Sequence, residues 1–588
     1  MSKLKWVTTL LLTCIVTQQV SSQIKVLSNQ VAYNAGTSKI ALVSSREALP
    51  PGTKFTLVNA KSKTTILKRE IEGAEQVQDW ADGYWYSRVN FSDINTTGTF
   101  YISIQLDGKE YQSAAFNIGT NALTKIVAPA ITGFFLHQRA NSAEELSADS
   151  NLLLFGSNKR VDLRGGWCDA SGDVSKYFSH LAYANFMSPQ QIPMVDWGMI
   201  NTVERIPAIL AESKSLQALT EEALYGADYI KRSLSPGGYF YMTVFSYFRK
   251  DPQERRVVGL LADSKTTSDY QCAYREGGGM AIAALARIST WKKNRDFTSG
   301  EYLAAAEKAF VHLEANNLNY DDDGKENIID DYCALMAATE LWLATGKNLY
   351  RDAARKRAKN LHNRLSPSGY FIADDGIRPF WHAADAGLPI IALARYLDAE
   401  KDVTYRETAL STIKKSIDYN LSITQRVTNP FGYPRQSFLF VGKLQHGFFI
   451  PHENETGWWW QGEDARLGSL ATAILVGGRL VYPDNTALGV KPELARYASN
   501  LVNWILGCNP YDMCMMYGYG KNNVPYMASM YGHGSGEGGI SNGITGKNPD
   551  GSGIDWKVED NGNEWRWSEQ WIPHSGWFLQ AVTALVSK

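Results

Sequence analysis

The chain has 588 residues, of which 44% are hydrophobic, 20% charged and 12% aromatic, and its formal net charge is −1. A length beyond that of a usual single domain points to two domains, or to one large domain with a small companion. The near-neutral balance excludes a partner held mainly by charge, nucleic acid or an anionic membrane, whereas 17 Trp and 30 Tyr exceed what a core needs and suit a neutral polymer with apolar ring faces.

Residues 1–22 read as a secretory signal peptide: a basic start with Lys3 and Lys5, an apolar run from Trp6 to Val16, and a polar end at Ser21-Ser22. The expected location is periplasmic or extracellular. Cys14 offers the alternative of a lipoprotein anchor. The apolar run is too short to span a bilayer and no later run is long enough, so no transmembrane segment is expected. The remaining cysteines, Cys168, Cys272, Cys333, Cys508 and Cys514, contain no Cys-x-x-Cys pair, suggest no zinc site, and read as buried small hydrophobes.

Over residues 23–118, short runs rich in Val, Ile, Tyr and Phe at 39–43, 54–58, 84–91 and 98–105 alternate with turn clusters such as Pro50-Pro51-Gly52, which predicts a β-sandwich. From 119 to 588 the apolar period becomes helical. Helices are expected over 174–187, 200–213, 220–233, 278–290, 299–316, 330–345, 350–365, 383–397, 403–421, 463–481, 492–506 and 576–587. Periodicity alone reaches a large all-α domain with long functional loops.

Two stretches carry the chemistry. Gly165-Gly166-Trp167-Cys168-Asp169-Ala170-Ser171-Gly172-Asp173 places two carboxylates in a glycine-flanked turn that a ligand can approach closely, with Trp167 and Tyr177 as candidate faces for sugar rings. The same pattern also suits a polar loop capping a helix. Near the other end, Asn563-Glu564-Trp565-Arg566-Trp567-Ser568-Glu569-Gln570-Trp571 supplies a second carboxyl source just before the last apolar helix. Hydrolysis of a glycosidic bond uses two such groups, one protonated to release the leaving oxygen and one ionised to act on water or on carbon.

The first stretch resembles the aspartate motif of the family 9 glycoside hydrolases, and Glu569 resembles their acid. The Gln30-Val31-Ala32-Tyr33 opening is similar to the immunoglobulin-like module that precedes some catalytic domains of that family. The resemblance implies an N-terminal immunoglobulin-like β-sandwich at 23–118 followed by a mainly α (α/α)6 barrel at 119–588. It makes Asp173 the base, Asp169 its partner in holding water, and Glu569 the proton donor. The family usually has Asp-Ala-Gly-Asp, so Ser171 is an extra residue, expected to bulge between the aspartates.

Other matches concern substrate. The run Trp458-Trp459-Trp460 opens a helix, an arrangement that calls for at least one ring in a cleft while at least one wedges between helices; the resemblance makes Trp460 and Arg466 subsite residues, and Trp459 is a further candidate. His533 stands in a segment that replaces the family's Pro-His-His-Arg, and His574 stands where Tyr or Trp is common. Asp321 and Asp323 alternate as calcium ligands do, although a solvated acidic turn capping the next helix explains them as well.

The expected activity is inverting hydrolysis of a β-1,4-linked glucan-type polysaccharide or oligosaccharide by a monomer, with no required cofactor and at most a structural calcium. An exo-acting β-glucosidase or β-glucosaminidase is the alternative on the same fold. A non-catalytic carbohydrate-binding protein is the alternative from another class, opposed by the presence of all three carboxyl residues.

Overall fold

The computed structural model describes residues 24–180, 187–246, 254–261, 265–457, 460–529, 533–559 and 562–587. The expected signal segment with Cys14, and the candidate Trp459, lie outside the described residues. The N-terminal part is β-rich. In one sheet Ile40–Ser45 pairs with Lys25–Leu27 and with Trp85–Asn90; in the other Gly98–Leu106 pairs with Lys54–Asn59, Lys109–Gln112 and Phe116–Gly119. Alternate residues Phe55 and Leu57, and Phe100, Ile102 and Ile104, are buried together with Val43 and Val89, as the two-residue period of a strand requires.

The last of these strands ends at Gly119, and from there helices dominate. In chain order they are α1 Ala122–Gln138, α2 Ala143–Asp149, α3 Ile192–Arg205, α4 Pro207–Glu212, α5 Leu216–Arg232, α6 Gly279–Ile288, α7 Ser299–Tyr320, α8 Ile328–Thr345, α9 Asn348–Asn363, α10 Leu388–Ala399, α11 Val403–Gln425, α12 Asp464–Val481, α13 Pro492–Ile505, α14 Trp565–Ser568 and α15 Ile572–Ala584. Several starts are written locally: Ser142 with Glu145, Thr298 with Glu301 and Asn327 with Asp330 form capping boxes that satisfy the first backbone N–H groups of α2, α7 and α8.

Six of these helices close on one another: α3 packs on α6, α6 on α8, α8 on α10, α10 on α12, α12 on α15, and α15 on α3. Around them α5, α7, α9, α11, α13 and α1 each pack on a member of that ring. Glycine sets some of the spacing, since a Cβ on Gly468 of α12 would stand 2.8 Å from the backbone of Trp577 on α15. The N-terminal ends of the ring helices meet on one face, where Gln190 donates to Asp385, the Arg275 backbone to Asp330, and the Ala465 N–H to His574. At the C-terminal ends, a cavity of about 210 Å³ is walled in part by Arg205, Arg395 and Arg479, and Arg479 caps the carbonyls of Leu488 and Ala584.

Two expectations change, and one helix is added. No helix covers 174–180: Lys176–Tyr177 is a strand paired with Thr243–Phe245, part of a six-stranded sheet with Arg256–Leu261 at its centre. Both side chains of that strand are buried, Lys176 by a charge partner and Tyr177 by rings, which a solvent-facing helix turn would not allow. Residues 181–186 lie outside the description. The helix expected over 200–213 divides at Ile206, since Pro207 has no N–H to continue it and α4 starts there. Finally α1 was not legible, because it runs through Pro129, which reads as a breaker.

The two parts meet in a shared cluster, beside which the β-rich part keeps a core of its own. Trp80 lies 5.4 Å from Phe431, 5.4 Å from Phe448 and 5.9 Å from Trp504, centroid to centroid. Gln30 receives the N–H groups of Lys521 and Asn522 and donates to Asp512. The five described cysteines are free and buried. No described helix is long and apolar enough to cross a membrane.

Candidate active site

The aspartate loop closes on itself and then on the segment before α15. The Asp169 N–H donates to the Ser175 carbonyl at 3.0 Å and the Asp173 N–H to the Ala170 carbonyl at 3.2 Å. Gly165, Gly166 and Gly172 all have φ between 75° and 96°, and a Cβ on Gly166 would strike the Tyr229 ring at 2.9 Å, so the turn requires glycine there. Ser171 does not bulge outward. Its N–H donates to the Gln570 carbonyl at 3.2 Å, and its hydroxyl accepts from the Gln570 N–H at 2.9 Å. With the Ile572 N–H donating to the Asp169 carbonyl at 2.9 Å, a short antiparallel bridge places Glu569 beside the two aspartates.

Asp169 and Asp173 are buried, Glu569 is half-buried beside them, and Asp169 feels the charges of both other carboxyls. Burial pushes Asp169 well above the usual carboxylate range, with the Asp173 and Glu569 charges adding to it. Burial also raises Glu569, to about 8, with Asp173 reinforcing and the Asn542 amide opposing. Burial raises Asp173 as well, but hydrogen bonds from Ser175 and Val174 and the Arg255 charge work the other way. Those bonds are the Val174 N–H at 2.6 Å and the Ser175 N–H at 2.8 Å, both to Oδ1. Burial thus favours the protonated form of Glu569, and of Asp169 more strongly, whereas Asp173 has two backbone donors that favour its anion.

Further groups surround the trio that no motif singled out. The Trp571 indole donates to Asp169 Oδ1 at 2.9 Å, His180 Nε2 stands 3.9 Å from Asp169 Oδ2, and the Asn542 amide reaches Glu569 Oε2 at 3.5 Å. Burial lowers His180 to about 4, so it stands neutral beside the carboxyls. Trp571 was within the tryptophan-rich stretch already noted; nothing near His180 or Asn542 in sequence marks them.

The remaining candidates serve elsewhere. Trp167 offers no face to a sugar: it is fully buried against Gly226 of α5, and its indole donates to Glu222 at 2.6 Å. Tyr177 is buried against His180 and Phe245. Trp460 is sandwiched, with His452 stacked at 3.5 Å and the Arg566 guanidinium 4.1 Å over the ring. Arg466 lies inside the fold, paired with Glu463 at 2.8 Å and with the Phe448 carbonyl at 3.1 Å. His574 is buried and receives the Ala465 N–H at the start of α12, where burial holds it near 3.

Two clusters bear on metals. Asp321 and Asp323 stand 3.1 and 3.0 Å from the Arg275 guanidinium, which also pairs with Asp322 and Asp330. An arginine thus occupies the place expected for calcium. Among the described residues, the ligand atoms of Glu145, Cys168 and His533 lie within 4.8 Å of one another, a set that suits a transition metal. They are joined directly instead: His533 Nε2 is 2.7 Å from Glu145 Oε1, and the bonds to Cys168 and Glu145 hold His533 at about 10 although burial works against its charge. His533 reaches the aspartate loop through its carbonyl, which accepts the Gly172 N–H at 2.6 Å.

Residues 127–551 match the model of glycosyl hydrolase family 9, and residues 19–109 match the cellulase N-terminal ig-like domain. The chain belongs to glycosyl hydrolase family 9. It is 23% identical over 375 residues to a xyloglucan-specific endo-β-1,4-glucanase of Bacteroides ovatus, a match spanning 57% of this chain and 60% of that relative's length. Among solved structures, a metagenome-derived family 9 endoglucanase superposes with a TM-score of 0.66 at 16% identity, over 96% of this chain and 99% of its own. A family 9 protein of Bacteroides ovatus superposes with a TM-score of 0.65 at 18% identity, over 95% and 98% of the two chains. These likenesses bear on the fold.

Proposed function

We propose that the chain is an inverting endo-acting hydrolase of β-1,4-linked glucans, in which Glu569 protonates the leaving oxygen and Asp173, with Asp169, activates water. The observation that carries the reading is one site holding three carboxyls in unequal states: half-buried Glu569 raised to about 8, and buried Asp173 bonded by two backbone N–H groups. A base, an acid and a second carboxyl that hold water between them are what inversion needs. The ring of six helices with outer partners supports the finer reading of the helical part as an (α/α)6 barrel from 119 onward, with the β-rich part at 23–118 as a separate immunoglobulin-like domain. Export through residues 1–22 to the periplasm or the exterior belongs to the same reading.

The named activity of the Bacteroides ovatus relative makes xyloglucan the first substrate to assay, beside mixed-linkage glucan and cello-oligosaccharides. Wild type is expected to release oligosaccharides from the interior of at least one of these polymers, and Asp173→Ala and Glu569→Ala to lose turnover while remaining folded. Full turnover in either variant removes the assignment; release of single sugars from chain ends alone replaces the endo reading by the exo one.

A further inference from the structure

Arg255 precedes the strand Arg256–Leu261 and is buried at the downstream flank of the aspartate loop. Its Nε and Nη2 form a fork on Asp149 at 2.5 and 3.1 Å, while Nη1 donates to the Val174 carbonyl at 2.6 Å. That carbonyl and the Ser175 N–H belong to one peptide group. The Ser175 N–H in turn donates to Asp173 Oδ1 at 2.8 Å, so guanidinium, peptide and carboxylate stand in series. A cation at the oxygen of an amide polarises it and strengthens the bond given by its N–H, and more so where water is excluded.

We propose that Arg255 is a positioning residue for hydrolysis: through the 174–175 peptide it orients Asp173 Oδ1 and makes this aspartate, rather than Asp169, the ionised water-activating group. The proposal rests on the hydrolytic reading given above.

The surroundings of the two aspartates are unequal in the required sense. Asp173 faces the carboxyls of Asp169 on its own loop and of Glu569 ahead of α15, and the Arg255 charge acts on it against the effect of burial. Asp169 instead accepts from the neutral Trp571 indole and has neutral His180 beside it. Arg255 itself faces Asp149 and Glu145 of α2, Cys168 of the loop, and Tyr229 of α5, with Lys176 sharing Asp149 and His533 sharing Glu145. Lys176 sends its other bonds to the carbonyls of Leu163 and Gly165, so it fastens the upstream flank and leaves the relay to Arg255. Asp149, held ionised by Lys176 and Arg255 against its burial, fixes the fork from behind.

The test is the pH profile of kcat/KM on xyloglucan or cello-oligosaccharides for the full chain, its Arg255→Ala and Arg255→Lys variants, and Arg255→Ala with millimolar guanidinium added. The acid limb, which reports ionisation of the base, is expected to move up by about one pH unit in Arg255→Ala. The same variant should show kcat falling roughly tenfold or more with KM little changed, guanidinium moving the limb back, and lysine giving an intermediate shift. A merely structural arginine would lower activity and melting temperature but leave the limb of the surviving activity in place, and that result overturns the proposal. If the alanine variant does not fold, the lysine variant decides on the same criterion. A wild type inactive on every β-glucan overturns the hydrolytic reading and this proposal together, whereas an active wild type with an unmoved limb in the variants overturns this proposal alone.

Discussion

Glu569 keeps its proton because burial, and then the Asp173 charge, make the anion costly, and the consequence reaches both rate and stability. A general acid must be protonated, so kcat/KM is expected to fall as pH rises through about 8, and to fall again at low pH as Asp173 takes a proton. An unperturbed glutamate titrates near 4.5, and Glu569 in the fold at about 8. Across that window the unfolded chain has released this proton while the folded one retains it. Folding therefore loses roughly 1.4 kcal/mol for each pH unit of rise, until the folded pKa is passed. Glu569→Gln removes the loss, so thermal unfolding should find wild type and variant alike near pH 4.5 and the variant the more stable at pH 8; a gap that does not widen with pH contradicts the assignment. Trp167 belongs to the other class of residue. Trp167→Phe strips the indole donor from buried Glu222 and should lower stability by about 1–3 kcal/mol with KM unchanged, as denaturant titration and kinetics would show; a raised KM at unchanged stability would restore it to the cleft.

At the scale of elements, the acidic turn between α7 and α8 shows why a local pattern misleads. Asp321 and Asp323 alternate as ligands do, but the cation they meet is Arg275, from the segment ahead of α6. Arg275→Met leaves Asp321, Asp322, Asp323 and Asp330 facing each other without their cation and is expected to cost about 3–5 kcal/mol; a chelator should leave the melting temperature of wild type where it was. A drop in melting temperature on chelation would bring calcium back. The sequence was legible where signals are local. The long helices α7, α8, α11 and α12 follow from their apolar period, the first three also from their caps, and the three carboxyl residues from two short motifs. It was not legible where contact is distant: Lys176–Tyr177 is a strand only because Thr243–Phe245 lies beside it, and the Trp167 ring has the same neighbours in sequence whether it faces a cleft or Gly226. The fork from Arg255 to Asp149 leaves no trace in either stretch.

In the whole molecule, the β-rich part meets the helical part through a shared aromatic cluster, and the candidate site lies where the 165–175 loop meets the segment ahead of α15, two stretches far apart in sequence. Trp80 is 3% exposed among Phe431, Phe448 and Trp504, so Trp80→Ala should destabilise the full chain by about 3–5 kcal/mol without changing which substrate is cleaved. A stable variant with altered substrate range would assign the β-rich part to recognition instead. Ser171 and Gln570 join the Asp169–Asp173 loop to the Glu569 segment, and the proposed inversion turns on the direction of water attack there. The most direct test follows the anomeric protons by NMR during the first turnovers on a β-1,4-linked oligosaccharide. The α-configured reducing end is expected to appear first and to mutarotate afterwards; the β anomer appearing first would mean that a carboxylate attacks the sugar, and would contradict the role proposed for Asp173.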